Sequence, residues 1–191
     1  GPKDVQWTAS HRAKAAGEKA SQLVVRADET IKVEVAGSPA EDTYRIEVRL
    51  PKGATGVKLE VLPSGSLPGN GPGRAPNGNF VLNEIRFELN GQTLKLAGAT
   101  ATFEQPNFPA KHAIDGVTDQ KSNGWAVMGN TGNPAAAYFE FAEPLGEDAT
   151  VMPQLTQNYG TNHTLGKFRL SATAAPKPIR APNAGVPADV L

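Results

Sequence analysis

The sharpest chemical pattern in the chain is Ala113-Ile114-Asp115-Gly116, followed nine residues after Gly116 by Trp125. A carboxylate on a tight glycine turn, with backbone carbonyls beside it, suits calcium, a hard cation that takes about six to eight oxygen ligands. Asp115 and Asp119 offer carboxylates, Ser122 or Thr118 a hydroxyl, and His112 and Val117 their carbonyls. Spacing alone favours the plainer use of the same residues, an Asp-Gly turn whose carboxylate bonds its own backbone. A second pattern is Asn158-Tyr159-Gly160-Thr161-Asn162-His163. Tyr159 can stack on the apolar face of a pyranose ring, and Asn162 and His163 can read its hydroxyls. The alternative is a polar hairpin in which His163 bonds backbone.

Two further segments carry weaker signals. Gly71-Pro72-Gly73-Arg74-Ala75-Pro76-Asn77-Gly78-Asn79 has the look of a phosphate-cradling loop, but the Lys-Ser/Thr pair is missing and no helix follows. Nucleotide binding is rejected on that ground. Arg74, Asn77 and Asn79 then either pin the loop or face a ligand. Trp125, in Gly-Trp-Ala-Val-Met, reads as a core residue on a strand, and Trp7 has the same reading. No catalytic set emerges. The three His are far apart and lack metal-ligand spacing, there is no Cys, and no Gly-x-Ser-x-Gly elbow occurs. Nothing singles out a carboxylate pair, so the chain is expected not to be an enzyme.

The elements that must position these residues are strands. Ile31, Val33 and Val35 alternate with charged residues, as do Tyr44, Ile46, Val48 and Leu50, then Val57, Leu59 and Val61, then Ile85, Phe87 and Leu89. Shorter alternations surround Lys95, Glu140 and Arg169. Period two marks half-buried antiparallel strands. Asn90-Gly91 between two runs is a hairpin turn. Ser10 to Gln22 is polar, Ala-rich and broken by Gly17, and reads as a loop. Pro63 to Gly78 is a long loop in which nine residues are Gly or Pro, expected to be held in one conformation by its prolines and by Arg74 and Asn77. There is a weak internal repeat: the runs at Tyr44, Val57 and Leu82 resemble those at Tyr138, Val151 and Leu165, with the extra residues of the first copy inside the Gly/Pro loop.

Composition sets the outer limits. Nineteen Lys and Arg balance nineteen Asp and Glu, so no general attraction to nucleic acid is expected. No apolar run approaches the ~20 residues of a membrane helix. Gly1-Pro2 reads as a protease-cleavage scar, which sets residues 1–3 aside as a lead-in. Residues 4–173 are expected to form one β-sandwich, and 174–191 a Pro/Ala-rich linker to a further domain.

Ala113-Ile114-Asp115-Gly116, the polar loop and Trp125 resemble the Ala-x-Asp-Gly…Trp signature of discoidin-type domains and the sugar-binding modules related to them. That resemblance implies an all-β, antiparallel jelly-roll β-sandwich of galactose-binding-like type with one structural calcium at Asp115. A wider likeness runs over about residues 5–190. It rests on Val57-Lys-Leu-Glu-Val-Leu-Pro-Ser-Gly-Ser-Leu-Pro, Gly71-Pro-Gly-Arg-Ala-Pro-Asn-Gly-Asn-Phe-Val-Leu-Asn-Glu84 and Leu165-Gly-Lys-Phe-Arg-Leu-Ser. These look like a module of planctomycete-type multidomain proteins with cytochrome c-like domains, and imply an exported, extracytoplasmic protein with a non-catalytic accessory module. The expected function is carbohydrate binding through Tyr159, Asn162 and His163, with Arg74 and Asn79 behind them. The metal set is Asp115, Asp119, Ser122, His112 and Val117, and the partners are a polysaccharide and the neighbouring domains of a parent chain. The rival is a docking module that positions a redox or hydrolytic neighbour and binds no sugar. It should show a contiguous apolar patch where a sugar binder shows an exposed aromatic beside polar donors.

Overall fold

The period-two alternation becomes burial. In the strand Asp42–Leu50, Tyr44, Ile46, Val48 and Leu50 are buried while Arg45 and Arg49 face solvent. The structure is a computed structural model that describes residues 5–9, 14–34 and 36–182. Its strands in chain order are β1 (Thr8–Ala9), β2 (Lys14–Gly17), β3 (Leu23–Val25), β4 (Ile31–Val33), β5 (Asp42–Leu50), β6 (Gly56–Val61) and β7 (Val81–Leu82). They continue as β8 (Glu84–Leu89), β9 (Gln92–Thr93), β10 (Leu96–Ala101), β11 (Trp125–Ala126), β12 (Ala135–Phe141), β13 (Ala149–Gln157) and β14 (Lys167–Thr173).

All strand pairs are antiparallel. One sheet runs β10-β12-β6-β14-β4-β3, with β1 also on β14. The other runs β2-β5-β13-β8-β9, and β7 pairs with β11 apart from both. The inward faces of the two large sheets share one core, which includes Phe87, Phe139, Phe141 and Phe168 at 0–1 % exposure. The chain is thus a nearly all-β protein consistent with a β-sandwich. Asn90 and Gly91, both at positive φ, make the β8–β9 hairpin.

The strand order bears on the internal repeat. β5, β6 and β8 alternate between the sheets, and β12, β13 and β14 alternate in the opposite phase. Exchanging the two triplets turns the order β5-β13-β8 into β12-β6-β14, which is the centre of the other sheet. This order is the one that two interleaved copies of a strand-strand-loop-strand unit would give.

Two expectations change. The segment expected to loop forms β2 at Lys14–Gly17, because the β5 edge offers Tyr44 to Glu47 as partners; pairing makes this strand, not apolar alternation. Ser10 to Ala13, and Val35 at the end of its expected strand, lie outside the described residues. The linker reading of 174–191 fails for 174–182. Ile179 and Ala181 are each 4 % exposed. The Ile179 N–H donates to Glu140 Oε2 at 2.7 Å and the Ala181 N–H to Thr100 Oγ1 at 2.7 Å. Ala181 completes a small outer cluster with Ala136, Tyr138 and Trp7. Two apolar residues in a Pro-rich stretch are enough to dock it on the sheet, since each buried aliphatic side chain contributes about 1 kcal/mol or more. Residues 183–191 lie outside the described part.

Candidate functional site: the loops around Asn83, Asp115 and Tyr159

Asn83, wholly buried between β7 and β8, is the hub of this end of the molecule. Its amide nitrogen donates to Lys121 O at 2.8 Å and Asn123 O at 2.9 Å, and its Oδ1 accepts the Asn158 N–H at 2.8 Å. Asn158 Nδ2 donates to Thr118 O at 2.8 Å. Two asparagines therefore fasten the 115–124 loop to the 158–163 loop. Buried amides are kept only where their bonds are made, and Asn83 makes all three of these.

The 112–123 loop closes on Asn123. Its Nδ2 lies 3.1 and 3.0 Å from the two carboxylate oxygens of Asp115, 3.3 Å from His112 O and 3.5 Å from Val117 O. Four oxygens surround a group with two hydrogens to give. Three of the five residues expected to hold a cation thus converge on one point, and an amide fills it. Asp119 and Ser122 are exposed and make no contact there. Asp115 also accepts the Val117 N–H at 3.0 Å, the bond of the plain turn. The turn bond is therefore made beside the Asn123 contacts. Two carbonyls and a carboxylate are the hard-oxygen donors that calcium takes. Among the described residues no three His, Cys, Asp or Glu side chains gather as a metal cluster. Asn123 was not among the residues singled out in the sequence.

Glu84 stands behind this loop. It is 4 % exposed, and its carboxylate oxygens accept the Gly116 N–H at 3.0 and 3.2 Å. Burial pushes its carboxyl up to about 7. The Gly116 N–H opposes that shift, the Asp115 carboxylate adds to it, and Arg86 opposes it. Nothing in the local pattern of β8 marks Glu84 as different from Glu88.

The expected sugar-binding residues divide. Tyr159 is 36 % exposed, and its ring lies 4.4 Å from the His163 ring at a 53° tilt. Gly160, Thr161 and Asn162 all have positive φ, a run that turns the chain sharply beneath the pair. His163 Nδ1 lies 2.9 Å from Gly160 O, the backbone bond of the hairpin reading. Arg74 and Asn79 do not join them. Arg74 is 5 % exposed. Its guanidinium donates to Pro39 O at 3.0 Å, Ser38 O at 3.2 Å and Thr164 Oγ1 at 2.7 Å, which ties three segments together. Asn79, 4 % exposed, spans Gln105 Oε1 and the Val127 N–H. Both were chosen for chemistry and are consumed by packing. The terminal nitrogens of Arg74 are paired, though its buried Nε has no partner among the described residues, so most of the polarity that suggested a ligand serves the fold.

Trp125 is a core residue, as read. It is fully buried, edge-on to Phe80 at 5.1 Å, and donates from Nε1 to Phe103 O at 2.9 Å. Trp7 is half-buried, edge-on to Tyr138 at 5.4 Å, with Lys58 over its ring. The Gly/Pro loop is fixed by its own backbone bonds, among them Gly73 to Gly78 and Ala75 to Asn79, and by Arg74 N–H to Thr164 O.

Comparison with protein families, with curated proteins and with solved structures finds no match to this chain.

Proposed function

We propose that the chain is a non-catalytic carbohydrate-binding module of jelly-roll, galactose-binding-like type. It anchors a larger, exported protein to a polysaccharide outside the cytoplasm. The observation that supports this is Tyr159. Among the described residues it is the one exposed large aromatic side chain, and it sits on a loop beside the His163 imidazole with Thr161 and Asn162 next to it. The other exposed large apolar residues, Val5, Val24 and Met128, lie on separate segments. An exposed ring among polar loop residues suits sugar stacking. Calcium is a structural ion in this reading, held by Asp115 and the carbonyls of His112 and Val117 in the place that the Asn123 amide fills.

A glycan array probed with the wild type, with and without chelator, tests the reading. Binding to at least one neutral glycan is expected, weakened roughly threefold to tenfold by Tyr159→Ala, since an aromatic stacking contact contributes about 0.5–1.5 kcal/mol. No bound glycan on the array would sink it. The docking reading draws on a different feature, a groove of about 370 Å³ lined by Leu89, Leu94, Phe141 and Leu145. It moves ahead if the array is blank.

A further inference from the structure

β10 is an edge strand, with β12 on one side and, among the described residues, no strand on the other. A groove of about 690 Å³ runs along its free side, walled by residues 104–112. Volumes of this order hold small ligands and short oligomers. The ladder fixes which peptide groups face the groove. The Thr102 N–H donates to Ala136 O at 2.9 Å, and Ala101 stands opposite Ala137, Ala99 opposite Phe139. An antiparallel ladder alternates inward and outward pairs. The N–H and C=O of Ala99 and Ala101 therefore point away from β12, into the groove.

The wall adds side chains with unspent bonding capacity. Glu104 commits one carboxylate oxygen to the Ala110 N–H at 2.6 Å, and the other has no partner among the described residues. Gln105 uses its Oε1 twice, to Asn79 and to the Met128 N–H, and keeps its Nε2 hydrogens. Asn107, held at φ 71°, is exposed, and its amide has no partner among the described residues. Lys111 is exposed, and no carboxylate among the described residues lies within ion-pair distance of it. His112 also lines the groove, and its carbonyl accepts from Asn123.

We propose that this groove is a second saccharide subsite, one that takes a uronic-acid unit of an oligosaccharide. Sugar hydroxyls both give and accept hydrogen bonds, and the groove offers both kinds of partner along a shallow floor of small side chains. The carboxylate of the sugar pairs with the Lys111 ammonium beside His112. Glu104, the one acidic side chain in the wall, takes a hydroxyl through its free oxygen. This subsite rests on the carbohydrate reading and adds the sugar class, an acidic one, at a place about which Tyr159 says nothing.

The test is a titration of the 15N-labelled chain with trigalacturonate, with uncharged galactotriose and with a short polyglutamate peptide, all in chelator. Trigalacturonate is expected to shift the amides of Ala99, Ala101, Asn107 and Lys111. Lys111→Ala should weaken it roughly threefold to fivefold, the range of an exposed charge pair, and added salt should weaken it further. Lys111 is exposed, so the variant's own spectrum serves as the control for folding. Four results overturn the inference: no shifts with trigalacturonate, equal shifts with galactotriose, equal shifts with polyglutamate, or an unchanged Lys111→Ala titration. If these occur while the array still shows a neutral glycan bound through Tyr159, the acidic subsite falls and the carbohydrate reading stands.

Discussion

Glu84→Gln should flatten the pH dependence of stability. The folded state holds the Glu84 carboxyl at about 7 against an ordinary 4.5, mainly through burial. The raised value means that the folded chain binds this proton more tightly than the unfolded chain does. The stabilisation is fully present below pH 4.5 and is lost as pH rises through about 7. At about 1.36 kcal/mol per tenfold change in proton affinity, the whole difference comes to roughly 3 kcal/mol. The residue is almost wholly covered, yet its carboxylate bonds Gly116, which is itself exposed, so solvent screening reduces that figure. Roughly 1–2 kcal/mol is the figure to expect between about pH 5 and about pH 8. The glutamine keeps an oxygen for the Gly116 N–H and does not titrate. In urea melts with chelator present, the wild-type midpoint should fall by about 0.5–1 M over that range relative to Glu84→Gln, for a urea slope of about 2 kcal/mol/M. Parallel midpoints for the two proteins would refute the burial argument. A wild type that gains stability over the same range would reverse its sign.

Asn83→Ala should lower the melting temperature by roughly 10 °C, since it leaves Lys121 O, Asn123 O and the Asn158 N–H unpaired in the interior at about 1 kcal/mol or more each; calorimetry measures this, and a loss under about 2 °C contradicts the hub role. Gly73→Ala should cost more than about 3 kcal/mol or prevent folding, because the added methyl collides with the Asn79 carbonyl across the Gly/Pro loop; a normal melt would show that the loop can move aside. Millimolar calcium should raise the wild-type melting temperature by mass action and leave Asp115→Ala unmoved; no rise in the wild type leaves Asp115 with its bonds to Val117 and Asn123 only.

The strands and their faces were legible because period two is a local property. Tyr44, Ile46, Val48 and Leu50 are buried wherever β5 is placed, and Asn90-Gly91 turns the chain whatever packs above it. The same holds for Trp125, whose apolar neighbours already put it inside. The repeat was visible as spacing. Only the strand order, with β13 between β5 and β8 and β6 between β12 and β14, gave it a physical form. The fate of polar residues was another matter. Arg74, Asn79 and Tyr159 look alike as candidate ligand readers, yet two are sealed by partners as far off as Pro39 and Val127 while the third stays exposed. Asn123 enters the oxygen cluster because the loop closes on it, and Glu84 is raised because the fold buries it. A side chain's bonding capacity belongs to its type. Whether that capacity is spent depends on which distant segments come within about 3 Å of it, and only the folded chain decides that.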